Sequence, residues 1–358
     1  MKASLVLQDG KVFKGSSIGA QKEACGELIV NTAVVGWQEM LTDPANCGKI
    51  LVFTYPLIGN YGFAGKFNES KKIWVAGLVI KEESRIFSNW QARMSFSEFL
   101  QQNGLAGIAD IDTRTLAVHL RQKGPLKGII SSHPGDAKGL LARVEAIGKH
   151  PVESRLPEIS VPKKMILGKA KKGVKTVAVL DLGVTASLLR QLQSLGWRVA
   201  VFPFSASAQE IMRLRPSGVI ISGGPEDDPG IEKVVPTVKN LVGKVPLLGI
   251  STGHQVLARA LGGRISRMKV AHRGVNYPIL GGSSYKGEIT VQNHAFAIEA
   301  ASLSKIKGVK ITASNLNDRS VEEFEAKKLR LIGVQYYASS PGFGEAHPVF
   351  NRFSRMFV

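Results

Sequence analysis

Residues 1–130 alternate apolar and polar positions in short runs, the period-two pattern of half-buried strands. The pattern predicts strands at Ser4–Leu7, Lys11–Lys14, Glu27–Thr32, Ile50–Thr54 and Trp74–Ile80, separated by turn signals such as Asp9-Gly10 and Asp43-Pro44. Helical spacing follows at Ser95–Asn103 and at Thr113–Gln122, after the Asp110-Ile111-Asp112 turn. This half reads as α+β.

From Lys175 the pattern changes to strand–helix alternation. Strands are predicted at Thr176–Asp181, Arg198–Phe202, Gly218–Ile221, Pro246–Ile250 and Leu331–Gln335, and helices at Ala186–Leu195, Ala208–Leu214, Ile231–Val242 and His254–Leu261. Shorter strands, among them Glu288–Gln292, are expected between residues 264 and 300. The alternation implies an α/β domain with a mostly parallel sheet covered by helices, and sites above the carboxyl ends of its strands. Residues 150–172 have weak periodicity and several prolines and lysines. The expected organisation is an N-terminal α+β domain over 1–150, a linker over 151–172 and the α/β domain over 173–358.

One stretch carries a chemical signal. In Pro246 to Gly263, PLLGISTGHQVLARALGG, an apolar strand runs into a turn in which Gly249 and Gly253 flank Ser251. The glycines let the backbone bend sharply and lift one side chain above the sheet edge, the geometry of a nucleophile elbow. Helical spacing of Val256, Leu257, Ala260 and Leu261 then runs to Gly262-Gly263.

Composition narrows the classes. A chain of 358 residues with 44% hydrophobic and 21% charged residues fits a globular protein of about two domains. Two cysteines, Cys25 and Cys47, exclude a disulfide scaffold or a cysteine-rich zinc site; both read as small buried residues. No apolar run suggests a signal peptide or a membrane span, so a cytoplasmic protein is expected. The net charge of +19 raises nucleic acid as a partner. The one lysine cluster, Lys163, Lys164, Lys169, Lys171, Lys172 and Lys175, has no aromatic residue for base stacking and reads as a solvated connector or a contact for an acidic partner. Gly168 to Lys175 misses the phosphate-loop spacing, with Val174 at the lysine position, so no ATP site is read there.

The elbow resembles that of class I glutamine amidotransferases, G-x-C-x-G-H-Q, with Ser251 where the cysteine stands. The whole chain resembles the small, glutamine-hydrolysing subunit of carbamoyl phosphate synthetase. The blocks LVLQDGKVFKG, GELIVNTAVVGWQEMLTDP, TYPLIGNYG and GIADIDTRTLAVHLRQKG resemble that subunit's leading domain; DLGVTASLLRQL, SGGPEDDPG, NYPI, TVQNHAFAIE and VQYYASSPG follow in the family's order. The resemblance implies a class I glutamine amidotransferase-like domain over 173–358. It also implies a large-subunit partner, in a heterodimer or higher oligomer, that holds the ATP and magnesium sites, so no cofactor or metal is expected in this chain. In the family a cysteine attacks the glutamine side-chain amide, a histidine acts as base and a glutamate orients it, the logic of any acyl transfer.

Residue by residue, that chemistry is altered. Ser251 stands at the nucleophile position, Tyr337 at the histidine position and Ser339 at the glutamate position, in a block one residue shorter than the family's Q-Y-H-P-E-A-S-P-G. A tyrosine, with a reference pKa of about 10, is a poor general base near neutrality. Loss of nucleophile or base can cost about 10⁶ in turnover. Among the glutamine-pocket positions, Ala45 replaces a serine, Glu226 a glycine and Ala295 a glycine, while Gly224, Gln255, Asn293 and Phe296 match. Gly224 and Thr252 are the expected N–H donors of an oxyanion site. Weak or no glutamine binding is expected.

Ser251 also fits G-x-S-x-G, which keeps a serine hydrolase open as the rival reading. It would need His272, His294 or His347 at the hydroxyl. On position alone His254 packs or caps, His294 sits in a structural turn, and His347 opens the final helix. Glu226-Asp227-Asp228 reads as an acidic structural turn.

Overall fold

The structure, a computed structural model, describes residues 1–133, 137–149, 153–281, 287–339 and 345–357. Ser340, Pro341 and Gly342 of the altered block, and His150, Pro151 and Val152 at the expected start of the linker, lie outside the described residues. The chain divides into two compact units, Met1–Pro151 and Val152–Val358. No described helix is long and apolar enough to cross a membrane.

The N-terminal unit is a closed seven-stranded barrel with helices around it. Its strands are β1 (Lys2–Leu7), β2 (Val12–Gly19), β3 (Ala24–Asn31), β4 (Lys49–Phe53), β6 (Gly77–Val79), β8 (Ala106–Ala109) and β9 (Lys127–Ser131), while the short β5 (Leu57–Ile58) and β7 (Glu82–Glu83) pair separately. Alternation sorts the side chains. Leu5, Leu7, Ile50 and Val52 join one buried cluster, while Leu51 and Phe53 pack in another with Trp37, Phe63, Phe96 and Phe99. The two helices expected from the sequence lie at Phe96–Gln102 and Thr113–Lys123, close to their predicted bounds; Ser95 and Glu98 form a capping box at the first. Strands β8 and β9, short and flanked by glycine, carry too little periodicity to be read from the sequence, yet they close the barrel.

The C-terminal unit is built on a ten-stranded sheet, in the order β10-β12-β11-β13-β14-β19-β18-β17-β15-β16. The strands are β10 (Met165–Leu167), β11 (Thr176–Asp181), β12 (Arg198–Pro203), β13 (Gly218–Ile221), β14 (Leu247–Ile250), β15 (Ile265–Gly281), β16 (Gly287–Ile298), β17 (Lys310–Asn315), β18 (Val321–Ala326) and β19 (Leu331–Val334). The centre, β12-β11-β13-β14-β19, is parallel, and its strands bury both faces: Val177 and Val179 on one side, Ala178 and Leu180 on the other. Helices Ala186–Ser194, Ala208–Arg213, Ile231–Leu241 and Thr252–Ala260 connect them. Antiparallel strands extend the sheet at both edges.

Two sequence expectations differ from this arrangement. The stretch read as a linker over 151–172 contributes the helical turn Leu156–Ile159 and the edge strand β10. Val161 N–H also donates to the buried Asp181 carboxylate at 2.8 Å, so backbone pairing holds the segment to the C-terminal unit. The shorter strands expected at 264–300 are two long ones, β15 and β16, paired over ten registered positions with two irregularities.

Candidate functional site

Ser251 lies between β14, at the centre of the sheet, and helix Thr252–Ala260. Its φ of 53° and ψ of −115° are strained for a residue with a side chain. Ser251 N–H donates to Val334 O at 2.8 Å and its carbonyl accepts His254 N–H at 2.9 Å, which pins the turn. The flanking glycines are needed for close approach: a Cβ on Gly249 would stand 2.5 Å from Gly253 O, and one on Gly253 2.1 Å from Ile221 O. Ser251 is 3% exposed. The elbow expected from the sequence is present.

Gly223 defines what faces the hydroxyl. A Cβ placed there would lie 3.7 Å from Ser251 Oγ and 3.8 Å from Tyr337 Cε1, so serine and tyrosine line the same small space. Tyr337 is fixed there by its N–H, which donates to Val291 O at 2.9 Å, and its phenol oxygen accepts Asn293 Nδ2 at 3.3 Å. Ser339 is exposed, in a turn closed by its own N–H on Tyr337 O at 2.8 Å.

The histidines of this unit are engaged elsewhere. His254 is buried against Phe324, at 5.0 Å between ring centroids, and burial pushes its pKa down to about 3. His347 caps the helix Pro348–Ser354 by accepting Val349 N–H at 3.2 Å, in keeping with its expected part in opening that helix. His294 departs from expectation: it sits inside β16, opposite His272, because the β15–β16 ribbon runs through QNHAF without turning. Its Nδ1 meets Phe296 O at 2.9 Å and its Nε2 meets Gln292 Oε1 at 3.0 Å, while burial lowers its pKa to about 4. His272 contacts Asp318 through Nε2 at 3.1 Å and Gln292 through Nδ1 at 2.8 Å. Among the described residues, no imidazole is hydrogen-bonded to Ser251 Oγ.

The pocket positions of the C-terminal unit converge. Thr252 donates through Oγ1 to Gly224 O at 2.5 Å, and a Cβ on Gly224 would stand 1.8 Å from Leu182 O, so that backbone approach is reserved for glycine. As first residue of its helix, Thr252 keeps an N–H without an intrahelical acceptor. Gln255 Nε2 reaches Glu226 Oε2 at 3.1 Å, Phe296 O at 3.1 Å and Gln335 Oε1 at 3.3 Å. Glu226 also accepts Ala295 N–H at 2.5 Å and Phe296 N–H at 3.1 Å, with Arg273 Nη2 at 3.7 Å from Oε1. Burial raises the Glu226 pKa, and the Arg273 charge opposes the rise. Ala45 belongs to the N-terminal unit, where its N–H donates to Asp43 Oδ1 at 2.9 Å.

Sequence reasoning missed the support behind this pocket. Arg273 holds Glu226 and also donates to Asn293, and His272, His294 and Glu322 bring ligand-type atoms within 4.8 Å of one another. Both ring nitrogens of His272 and His294 are already spent on protein partners, so the cluster is a hydrogen-bonded brace as it stands. No motif announces it, because the pairing of His272 with His294 depends on the register of two strands. Asp228 supports the reading of the acidic stretch as structural: it accepts Ser154 Oγ at 2.6 Å, Arg155 N–H at 2.6 Å and Gly230 N–H at 2.7 Å.

Comparison with known proteins agrees with both units. Residues 5–130 match the family described as carbamoyl-phosphate synthase small chain, CPSase domain, and residues 178–356 match glutamine amidotransferase class-I. The carbamoyl phosphate synthase small chain of Syntrophotalea carbinolica is 38% identical over 367 residues, spanning 99% of this chain and 97% of the relative. That of Listeria monocytogenes is 38% identical over 357 residues (99% and 96%). The pyrimidine-specific small chain of Bacillus subtilis is 36% identical over 360 residues (99% and 96%). A barrel unit followed by an amidotransferase unit with a central elbow, matched along nearly its whole length, places the chain in the carbamoyl phosphate synthase small chain family.

Proposed function

We propose that this chain serves as a carbamoyl phosphate synthase small subunit whose own glutaminase is lost, so that the complex draws on free ammonia. The observation that carries the reading is the space in front of Ser251. A phenol lines it where an imidazole is required, and an alcohol without a base beside it does not attack an amide at a useful rate. Ser339, at the position of the orienting acid, carries no carboxylate and faces outward. The serine hydrolase alternative lacks support for the same reason: His272, His294 and His347 are bonded to other groups.

The remaining role is structural. The chain docks on the large subunit, in a heterodimer or higher oligomer, and supports the conformation in which that partner, with its own ATP and magnesium, makes carbamoyl phosphate for pyrimidine or arginine synthesis in the cytoplasm. The test is to purify the chain with its large subunit and compare ATP-dependent carbamoyl phosphate formation from glutamine and from ammonium. Synthesis from ammonium alone is the expected result. Glutamine use at a comparable rate, abolished by Ser251→Ala, defeats the proposal.

A further inference from the structure

The ladder between β15 and β16 breaks at Ala295: Arg267 pairs with Phe296 and His272 with His294, leaving four residues on one strand against one on the other. Such an irregularity frees backbone N–H groups from the sheet. Successive N–H groups of a regular strand point to opposite sides, yet those of Ala295 and Phe296 both reach one carboxylate. Gln255 Nε2 adds a third donor and the guanidinium of Arg273, 8% exposed, adds the countercharge. Two convergent amides, a side-chain amide and a buried cation form a receptor for a carboxylate group.

We propose that this cluster is a carboxylate-binding hole that the chain fills with its own residue, Glu226, so that the pocket is closed to free carboxylate ligands in the native protein. The occupant arrives tethered on the turn after Gly224 and competes at high effective concentration. Removing it leaves the Ala295 and Phe296 N–H groups without their acceptor and the buried Arg273 without its countercharge, a costly state that a small monocarboxylate relieves. The idea rests on the reading of a silent glutamine pocket, but its readout is binding and not turnover, so either can fail without the other.

The experiment uses the full chain, with acetate as the probe and chloride at equal ionic strength as the control. For Glu226→Ala, acetate is expected to raise Tm saturably, by roughly 2–4 °C more than chloride. The wild type and Glu226→Gln, whose holes are filled, show no difference between the salts. If Glu226→Ala does not fold in chloride, recovery of folding in acetate supports the proposal and absence of recovery overturns it. Equal responses of Glu226→Ala and wild type to acetate also overturn it.

Discussion

Asn293 joins Tyr337 to Arg273: its Nδ2 donates to the phenol oxygen at 3.3 Å, and its Oδ1 accepts from the guanidinium. Arg273 in turn faces Glu226, so the residue at the base position and the residue filling the pocket belong to one chain of contacts. If Tyr337 occupies the place of a base, restoring imidazole there must be felt at residue 251. Ser251→Cys alone is expected to alkylate with a pH midpoint near or above the ordinary thiol value of about 8.5. Ser251→Cys with Tyr337→His lowers that midpoint by about one unit or more, as a neighbouring imidazolium stabilises thiolate. Identical pH profiles for the two variants remove Tyr337 from the site.

Strain at Ser251 has a stability consequence. A side chain at φ 53° and ψ −115° costs on the order of 1–3 kcal/mol, which glycine does not incur, against about 0.5–1 kcal/mol of extra freedom that glycine loses on folding. Ser251→Gly is therefore expected to stabilise the C-terminal unit by roughly 1 kcal/mol, whereas Ser251→Ala keeps the strain. Urea unfolding of the three proteins decides it; a glycine variant less stable than the alanine variant contradicts the argument.

Buried histidines make the C-terminal unit sensitive to acid. His254 and His294 have folded-state pKa values of about 3 and about 4, both depressed by burial below the ordinary 6.5. Between pH 6.5 and 4 the unfolded chain takes up protons at these positions that the folded chain refuses, so stability falls as pH falls through that window. His272 is different: burial depresses it, but Glu322 and Asp318 leave it raised, so its contribution is complete below pH 6.5. Buried Glu226 and Asp181, both raised, act in the opposite direction to the two depressed histidines. The clean observable is therefore a difference. His254→Leu should lose about 1.4 kcal/mol less stability per pH unit than the wild type between pH 6 and 4. Parallel stability–pH curves contradict the assignment.

Asp228 ties Ser154 and Arg155 to the start of the helix Ile231–Leu241 through three hydrogen bonds. Asp228→Ala leaves those donors unmet and should cost roughly 2–4 kcal/mol, measured by urea unfolding. A loss below about 1 kcal/mol means the segment is held by other contacts.

The sequence was most legible where one local pattern sufficed. The central strands such as Gly218–Ile221, the glycine-flanked turn at Ser251 and the capped helix at Phe96–Gln102 each follow from a few neighbouring residues whose periodicity or turn chemistry allows one conformation. Edge strand β10 escaped because three residues next to prolines and lysines carry no usable period. His294 was misplaced because a histidine and asparagine pair looks like a turn until the partner strand is known.

The amino-acid order by itself determined the two-part organisation, the parallel centre of the second unit and the absence of cysteine and histidine at positions 251 and 337. Only the tertiary structure decided what took their place: that Tyr337 and Ser251 border one space, that Asn293 binds within the protein, and that the Glu226 carboxylate ends among Gln255, Arg273, Ala295 and Phe296. The division has a physical cause. Periodicity and turn chemistry act between near neighbours in the chain, whereas these contacts join residues 20 to 86 positions apart, and strand register together with the close packing of glycine backbones sets them.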